Sequence, residues 1–528
     1  MKKIFGIFFI FLVAILLVGC KDNSSKVKAT ISDLIVEVKT MSFTLTIEDP
    51  ENEITGNISI RLVNTTSGTD VSTRTTTKET LIENKQTFDY VNLTPSTNYT
   101  ITISAVIGRK SVFLKSEPFT TKEEDSIIST VPQFLAIANN RTGNYELAND
   151  LDFTGVEFTP LFLTASNGFS GSFDGKGFEL KNINFKSIDS YTGLFGNVTS
   201  GRIANVTLRN VNIGTQESPL SINKASRIGL LSGYLSSSAA EIRNVNVIDS
   251  NIYITSSSTI NLYVGGLVGE NVLGRIEDIK MENVNVNVTS TSTGNVKVGG
   301  VVGFMSDTSS FSRPKLINVE SHTNVSFTLA NTRIVDKSLS FIIGGVIGDN
   351  NAQFVNYSVE NIFNSGNVYV DLDFGTQSGA SSISYTVNVG GLIGRTYSNI
   401  KSGIFAGSIH VHHEANDHEA NVSKTFNVGG LIGTYIVESS QRTSDELLRL
   451  GDNQSMNIQL IGNATLRTSH TIASKNASSV VTVHHYGELV TMVNDESKSD
   501  QDTSAILLSL DDYFTSTWLE QVYQNFIN

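Results

Sequence analysis

From residue 28 onward the chain alternates apolar and polar residues with period two over most of its length. Ser42-Phe43-Thr44-Leu45-Thr46-Ile47 and Ile58-Ser59-Ile60-Arg61-Leu62 read as strands with one buried face. Two stretches have helical spacing instead. Ser129-Thr130-Val131-Pro132-Gln133-Phe134-Leu135 sets a hydroxyl residue at a helix cap and proline in the first turn, and Trp518-Leu519-Glu520-Gln521-Val522-Tyr523 spaces its apolar residues three and four apart.

A pentad punctuates the middle of the chain: Gly193-Leu194-Phe195-Gly196, Gly229-Leu230-Leu231-Ser232-Gly233, Gly265-Gly266-Leu267-Val268-Gly269, Gly299-Gly300-Val301-Val302-Gly303, Gly344-Gly345-Val346-Ile347-Gly348, Gly390-Gly391-Leu392-Ile393-Gly394 and Gly429-Gly430-Leu431-Ile432-Gly433. Its closing glycines are 37, 36, 34, 45, 46 and 39 residues apart. A step of the form Ile203-Ala204-Asn205-Val206 or Ile242-Arg243-Asn244-Val245 follows most pentads, and then a period-two run such as Val284-Asn285-Val286-Asn287-Val288. One such unit has nothing to bury its apolar face against, whereas stacked units bury a continuous core. Strands of adjacent coils pair at about 4.8 Å, so seven coils would form a prism of roughly 35 Å. Glycine suits corners where backbones approach closely, and asparagines recurring at one step can stack as a ladder of side-chain amides. Residues 127–510 are therefore expected to form a solenoid, with the helical stretches near 131 and at 511–528 as lids over its open ends.

Composition agrees with β-structure and many turns. Of 528 residues 63 are Ser, 52 Thr and 49 Asn, while 17% are charged and 7 are Pro. A net charge of −13 provides no electrostatic footprint for a nucleic-acid backbone.

The N-terminus joins Lys2 and Lys3 to an apolar run from Ile4 to Val18, followed by Gly19 and Cys20, which has the form of a secretion signal and is short for a membrane-spanning helix. Leu17-Val18-Gly19-Cys20 resembles the bacterial lipobox, and the chain's single cysteine stands at its modification position. The resemblance implies a signal peptide over 1–20, a diacylglycerol on Cys20 and a polar tether over 21–27. The protein is then expected to be lipid-anchored in a bacterial cell membrane and exposed on its outer side, with the membrane as its partner through that lipid and no cysteine left for a disulfide.

Residues 28–121 carry a second resemblance. Leu93, Pro95 and Tyr99, within Phe88-Asp89-Tyr90-Val91-Asn92-Leu93-Thr94-Pro95-Ser96-Thr97-Asn98-Tyr99, have the spacing of a tyrosine corner, and Glu117-Pro118-Phe119-Thr120-Thr121 looks like a last strand. This resembles a fibronectin type III domain, although the family's usual tryptophan is absent and Phe43 is the nearest candidate; another immunoglobulin-like sandwich fits as well. The resemblance implies a spacer or contact module without chemistry of its own. The pentads, together with Asn144-Tyr145-Glu146-Leu147 and Phe173-Asp174-Gly175-Lys176-Gly177, resemble the GLUG-motif repeat of bacterial surface proteins, which implies exposure on a cell surface and no reaction. The expected fold is all-β: an immunoglobulin-like (fibronectin type III-like) sandwich, then a right-handed parallel β-helix with short capping helices.

No catalytic, cofactor or metal site is assigned. His410-Val411-His412-His413-Glu414 through His418-Glu419 is the nearest to a reactive cluster, but a zinc protease needs two histidines four apart on a helix, and His413 and His418 are five apart in strand and loop. His410 and His412 share a strand face and could hold a transition metal with His418 or a carboxylate, although a solvated strand and loop also explains them. His484-His485 is a weaker pair, and Asp511-Asp512 suits a helix start. The sequence reads as a noncatalytic surface lipoprotein displaying its solenoid to a host protein, a glycan or a neighbouring cell. A β-helical polysaccharide-degrading enzyme and a passive envelope scaffold are the alternatives.

Overall fold

A computed structural model of the chain describes residues 26–528 apart from 66, 123–125, 292–293, 308–313, 331–337, 353–357, 375–382, 416–421, 437–445, 451–454, 462–463, 476–481, 487–489, 499–505, 508–516 and 528. Cys20 lies outside the described residues, as do His418, Glu419, Asp511 and Asp512. The chain divides into two compact units, one on each side of residues 123–125.

The first unit is a sandwich of two antiparallel sheets. Strands β1 (Lys28–Val36), β2 (Met41–Glu48) and β5 (Lys85–Tyr90) form one sheet, in the order β1-β2-β5. Strands β3 (Ile54–Asn64), β4 (Thr69–Thr76), β6 (Asn98–Ile107) and β7 (Lys110–Thr120) form the other, in the order β4-β3-β6-β7. The period-two pattern buries Phe43, Leu45 and Ile47 from the first sheet and Ile58, Ile60, Leu62, Ile101 and Ile103 from the second. Phe43 stacks on Phe88 with ring centroids 5.6 Å apart. The Tyr99 hydroxyl accepts the Thr94 backbone N–H at 2.9 Å and so pins the turn that enters β6.

The second unit stacks parallel coils. A coil consists of two short strands joined at the pentad and one long strand, as in Leu262–Gly265, Val268–Asn271 and Arg275–Ser290. Like strands of successive coils pair in parallel register, giving two narrow eight-stranded sheets and one broad sheet among the described residues. The pentads form the corner between the narrow sheets. Their apolar residues Leu267, Val301, Val346, Leu392 and Leu431 lie fully inside, and each donates its N–H to the carbonyl of the next coil, from Leu267 to Val301 (3.0 Å) through Leu392 to Leu431 (2.9 Å).

None of the pentad glycines has a positive φ. Close approach is what requires them: a Cβ on Gly300 would land on the Gly345 carbonyl oxygen, and one on Gly391 would meet the Phe405 ring and the Gly430 carbonyl. The left-handed backbone falls on the asparagines instead. Asn205, Asn244, Asp278, Asn318 and Asn361 have φ between 52° and 57°, a region that Asn and Asp tolerate better than other side chains. Their amides also link the coils: Asn244 donates to Asn205 (2.8 Å), Asn318 to Asp278 (2.9 Å) and Asn361 to Asn318 (2.9 Å). A second ladder joins Asn212, Asn251, Asn285 and Asn324 at 2.9–3.2 Å.

Helix α1 (Val131–Ala136) starts with a reciprocal cap between Thr130 and Gln133. It drives Phe134 edge-on against Phe153 and Phe173 at 5.5 and 5.7 Å, so the first coil closes on packed aromatic rings.

Two features differ from the sequence reading. The stack runs one coil past the last glycine pentad, because Ser469-His470-Thr471-Ile472 occupies the same corner and continues both narrow sheets. Helix α2 (Thr517–Ile527) is also not a lid on the last coil. Leu519, Val522 and Tyr523 pack on Phe363, Ile404 and Leu448, which form an outward-facing apolar row in register across three coils of the broad sheet. The physical reason is burial, since this row is apolar where the preceding coils carry Asn246, Lys280 and Glu320 at the same register, and the helix covers it.

If the corner is as tight as this geometry requires, Gly300→Val should destabilise the solenoid by more than about 3 kcal/mol, beyond the usual range for overpacking. Hydrogen exchange should speed up in the coils containing Gly266 and Gly345 and stay unchanged over residues 88–105 of the sandwich. Equal protection in mutant and wild type would contradict the close approach.

Candidate functional site

At the pentad corner the two narrow sheets meet so closely that their outward side chains converge in a seam along the outside of the solenoid. Row one, in register on the first narrow sheet, is Tyr191, Arg227, Tyr263 and Lys297. Row two, on the second, is Tyr234, Glu270, Phe304, Asp349 and Arg395. Tyr191 stacks on Tyr234 at 5.2 Å, and the Tyr263 and Phe304 rings meet at a tilt of 55° with centroids 4.9 Å apart. Between these pairs the Arg227 guanidinium lies over the Tyr234 ring at 4.9 Å and forms an ion pair with Glu270. Lys297 stands 3.0 Å over the Phe304 ring and 2.9 Å from Asp349, which Arg395 also grips through two nitrogens at 2.7 and 2.9 Å.

Burial and charge oppose each other along the seam. Burial disfavours the charge on Arg227, but Glu270 more than offsets this and the guanidinium's pKa stands raised. Burial lowers Lys297, and Asp349 offsets it only in part. The Tyr263 phenol is pushed up to about 12, first by burial and then by Glu270. Asp349 is 0% exposed and Glu270 is 5% exposed, and both carboxylates are held by cations. Their strands are two coils apart, about 10 Å along the axis, outside the roughly 5–5.5 Å of a retaining glycosidase pair and close to the roughly 6.5–9.5 Å of an inverting one. The arrangement pairs each of the two buried carboxylates with a basic side chain.

The histidines divide between the two sides of one strand, Ile409–Ala415. His410 and His412 face outward. His410 stacks on Tyr369 of the preceding coil at 5.0 Å and 9°, and His412 Nδ1 lies 2.8 Å from Asp371 Oδ1. Asn457 and Gln459 of the next coil continue the two rows. Among the described residues no three His, Cys, Asp or Glu side chains gather as a metal site would require. His413 points inward and is fully buried, with Tyr385 Oη 3.4 Å from its Nε2 and burial lowering its pKa to about 4.

Sequence reasoning missed the seam and one further buried charge. Arg449 sits inside the solenoid, where burial lowers its pKa to about 9; it donates to the carbonyls of Leu450 (2.7 Å) and Phe405 (3.2 Å). The run Leu447-Leu448-Arg449-Leu450 contained the signal, since alternation places Arg449 on the same side as the core residue Leu447.

No family model matches the chain, and no curated protein matches it. Among solved structures it is similar over 18% of its length to a redesigned β-sandwich protein, at 22% identity over 93% of that chain with a TM-score of 0.15. Over 88% of its length it is similar to the family 28 exopolygalacturonase of Yersinia enterocolitica, at 11% identity over 99% of that chain with a TM-score of 0.15. Neither score supports an argument about site or activity.

Two outcomes follow from the buried charges. Asp349→Leu leaves Lys297 and Arg395 side by side without a counter-charge and should cost about 3–5 kcal/mol in urea unfolding, while replacing all three by Met, Leu and Met should restore most of the loss. His413 titrates at about 4 in the fold and at about 6.5 unfolded, so its contribution is full above pH 6.5 and falls by up to ~3 kcal/mol as the pH drops towards 4. His413→Leu should flatten the wild-type stability profile across that window; parallel profiles would refute the assignment.

Proposed function

We propose that this protein is a noncatalytic, lipid-anchored bacterial surface protein whose solenoid serves as a binding surface. The observation that carries this reading is the pairing of the carboxylates in the seam and on the upstream coils of the broad sheet. In the seam Glu270 and Asp349 are each neutralised by basic partners, and on the broad sheet Glu277, Glu320 and Glu360 stand against Arg275, Lys280 and Lys315. A hydrolase of this architecture works through a pair of carboxylates flanking the scissile bond, and these are engaged in ion pairs. What the solenoid offers instead is a broad, rigid, polar outer face.

The fibronectin type III-like assignment of the sandwich is supported by its three-plus-four strand order and by the Tyr99 bond to Thr94. The GLUG-type assignment is supported by pentads that all occupy one corner of successive coils. In this reading the sandwich is the spacer between the lipid on Cys20 and the solenoid, and α1 closes the first coil. Among the described residues no helix is long and apolar enough to cross a membrane. Two acyl chains on Cys20 would supply stable anchoring, where a single chain gives only marginal binding.

Growth with an alkyne palmitate analogue should label the wild-type chain and leave Cys20→Ser unlabelled, and the wild type should stay with the membranes at high salt. The full chain should release no reducing ends from polygalacturonate or from neutral polysaccharides. Turnover that is lost in a seam variant such as Glu270→Gln would establish the enzyme alternative instead.

A further inference from the structure

We propose that a trough on the outer face of the broad sheet is a binding site for a neutral polysaccharide, with Tyr369 as its stacking residue; this rests on the preceding reading of the solenoid as a binding surface. The trough lies between two side-chain rows that run along the stacking axis. Tyr369, His410 and Asn457 form one wall, and Asp371, His412 and Gln459 the other. The walls are two residues apart on each strand, about 7 Å, and the space between them is about 300 Å³, the small end of the usual range for ligand clefts.

The chemistry of the walls fits a sugar. A pyranose ring offers an apolar C–H face and a rim of hydroxyls, so it needs an exposed aromatic surface beside planar hydrogen-bonding groups. Tyr369 is 41% exposed, one of the few large apolar side chains left in solvent among the described residues of the solenoid, and its stacking on His410 fixes the ring at little further entropic cost. Across the trough Asp371 is held by His412 at 2.8 Å and Gln459 by Asp495 at 3.2 Å, so both planar groups are pre-positioned with hydrogen-bonding capacity to spare. The Asn457 side-chain oxygen is buried and takes no hydrogen bond from any described residue.

Charge selects among sugars. Asp371 lies in the trough, Asp373 and Glu414 are exposed on the same strands, and the whole chain carries −13, so a polyuronate would be repelled. Length matters too. Upstream of Tyr369 and Asp371 the rows continue in register to Ser326 and Thr328, then to Asn287 and Thr289. These shorter side chains leave room for a chain to extend along the axis, so an oligomer should bind better than a disaccharide.

The test uses the full chain in detergent, titrated calorimetrically with hexasaccharides of glucose, mannose and galactose, the matching disaccharides, and hexagalacturonate. At least one neutral hexasaccharide should bind tighter than about 1 mM and at least tenfold tighter than its disaccharide. Tyr369→Ala and His412→Ala should each weaken it at least tenfold without lowering the melting temperature, and Tyr369→Phe should retain it. Failure of all three neutral hexasaccharides, equal binding by Tyr369→Ala, or preference for hexagalacturonate would overturn the site. So would binding of a matrix protein that Tyr369→Ala abolishes when no glycan binds. Undiminished adhesion of cells carrying Tyr369→Ala would sink the site and leave the display function standing. Cleavage of a bound hexasaccharide would sink the noncatalytic reading and leave the site.

Discussion

Strands of successive coils must pair in parallel register at about 4.8 Å, and the larger unit is shaped by that demand. Pairing satisfies the backbone along the strands and moves all the difficulty to the corners, where chains turn at hydrogen-bonding distance from one another. The pentad corner solves it by removing side chains, as at Gly266, Gly300, Gly345 and Gly391. The turn within the broad sheet solves it with residues that accept a left-handed backbone and bond their neighbours above and below, as at Asn205, Asn244 and Asn318. At the eighth corner neither device is present, and the Ser469 hydroxyl accepts the Thr471 N–H at 3.1 Å instead.

Register also turns each position into a row, and a row has its own electrostatics. Like charges stacked 4.8 Å apart would repel by roughly 3–4 kcal/mol at an effective dielectric near 20. The seam avoids this by alternating rings and charges, Tyr191-Arg227-Tyr263-Lys297 on one sheet and Tyr234-Glu270-Phe304-Asp349 on the other. The two rows are offset by one coil, so each base faces an acid and each ring faces a ring. Inside, apart from Arg449, rows of Val, Ile and Leu simply repeat.

What the sequence disclosed follows from the same physics. Period-two alternation and the recurring pentad are local signals, and they led directly to the sandwich strands and the stacked parallel sheets, while the Tyr99 turn was legible in the spacing of Leu93, Pro95 and Tyr99. The eighth coil was hidden because serine and histidine replaced its glycines while its backbone path stayed the same. The position of α2 was hidden because the row it covers is assembled from residues about 40 apart, and Phe363, Ile404 and Leu448 are unremarkable until register brings them together. The seam was invisible for the same reason: Arg227 and Glu270 are 43 residues apart and meet only because one coil lies on the next. Of the histidine cluster, the alternation put His410 and His412 on one strand face, but the reading as a solvated strand and loop did not foresee the buried His413, and the partners Tyr369 and Asp371 belong to another coil.

This division between inner and outer rows governs how such a surface can acquire a function. The inner rows and corners carry the stability, so substitutions there are felt by the neighbouring coils. Outer positions on the broad sheet, such as Ser326, Tyr369, His410 and Asn457, point away from the core, and a change there leaves the pairing intact. A face whose backbone is fixed and whose side chains are free to vary is pre-organised before any ligand arrives, which reduces the entropic cost of binding. Because rows repeat along the axis, a polymer lying across several coils can also add weak contacts one after another, and its affinity then grows with length without any deep pocket. For this chain the physically economical binding surface is therefore a row along the stack and not a cleft cut into it.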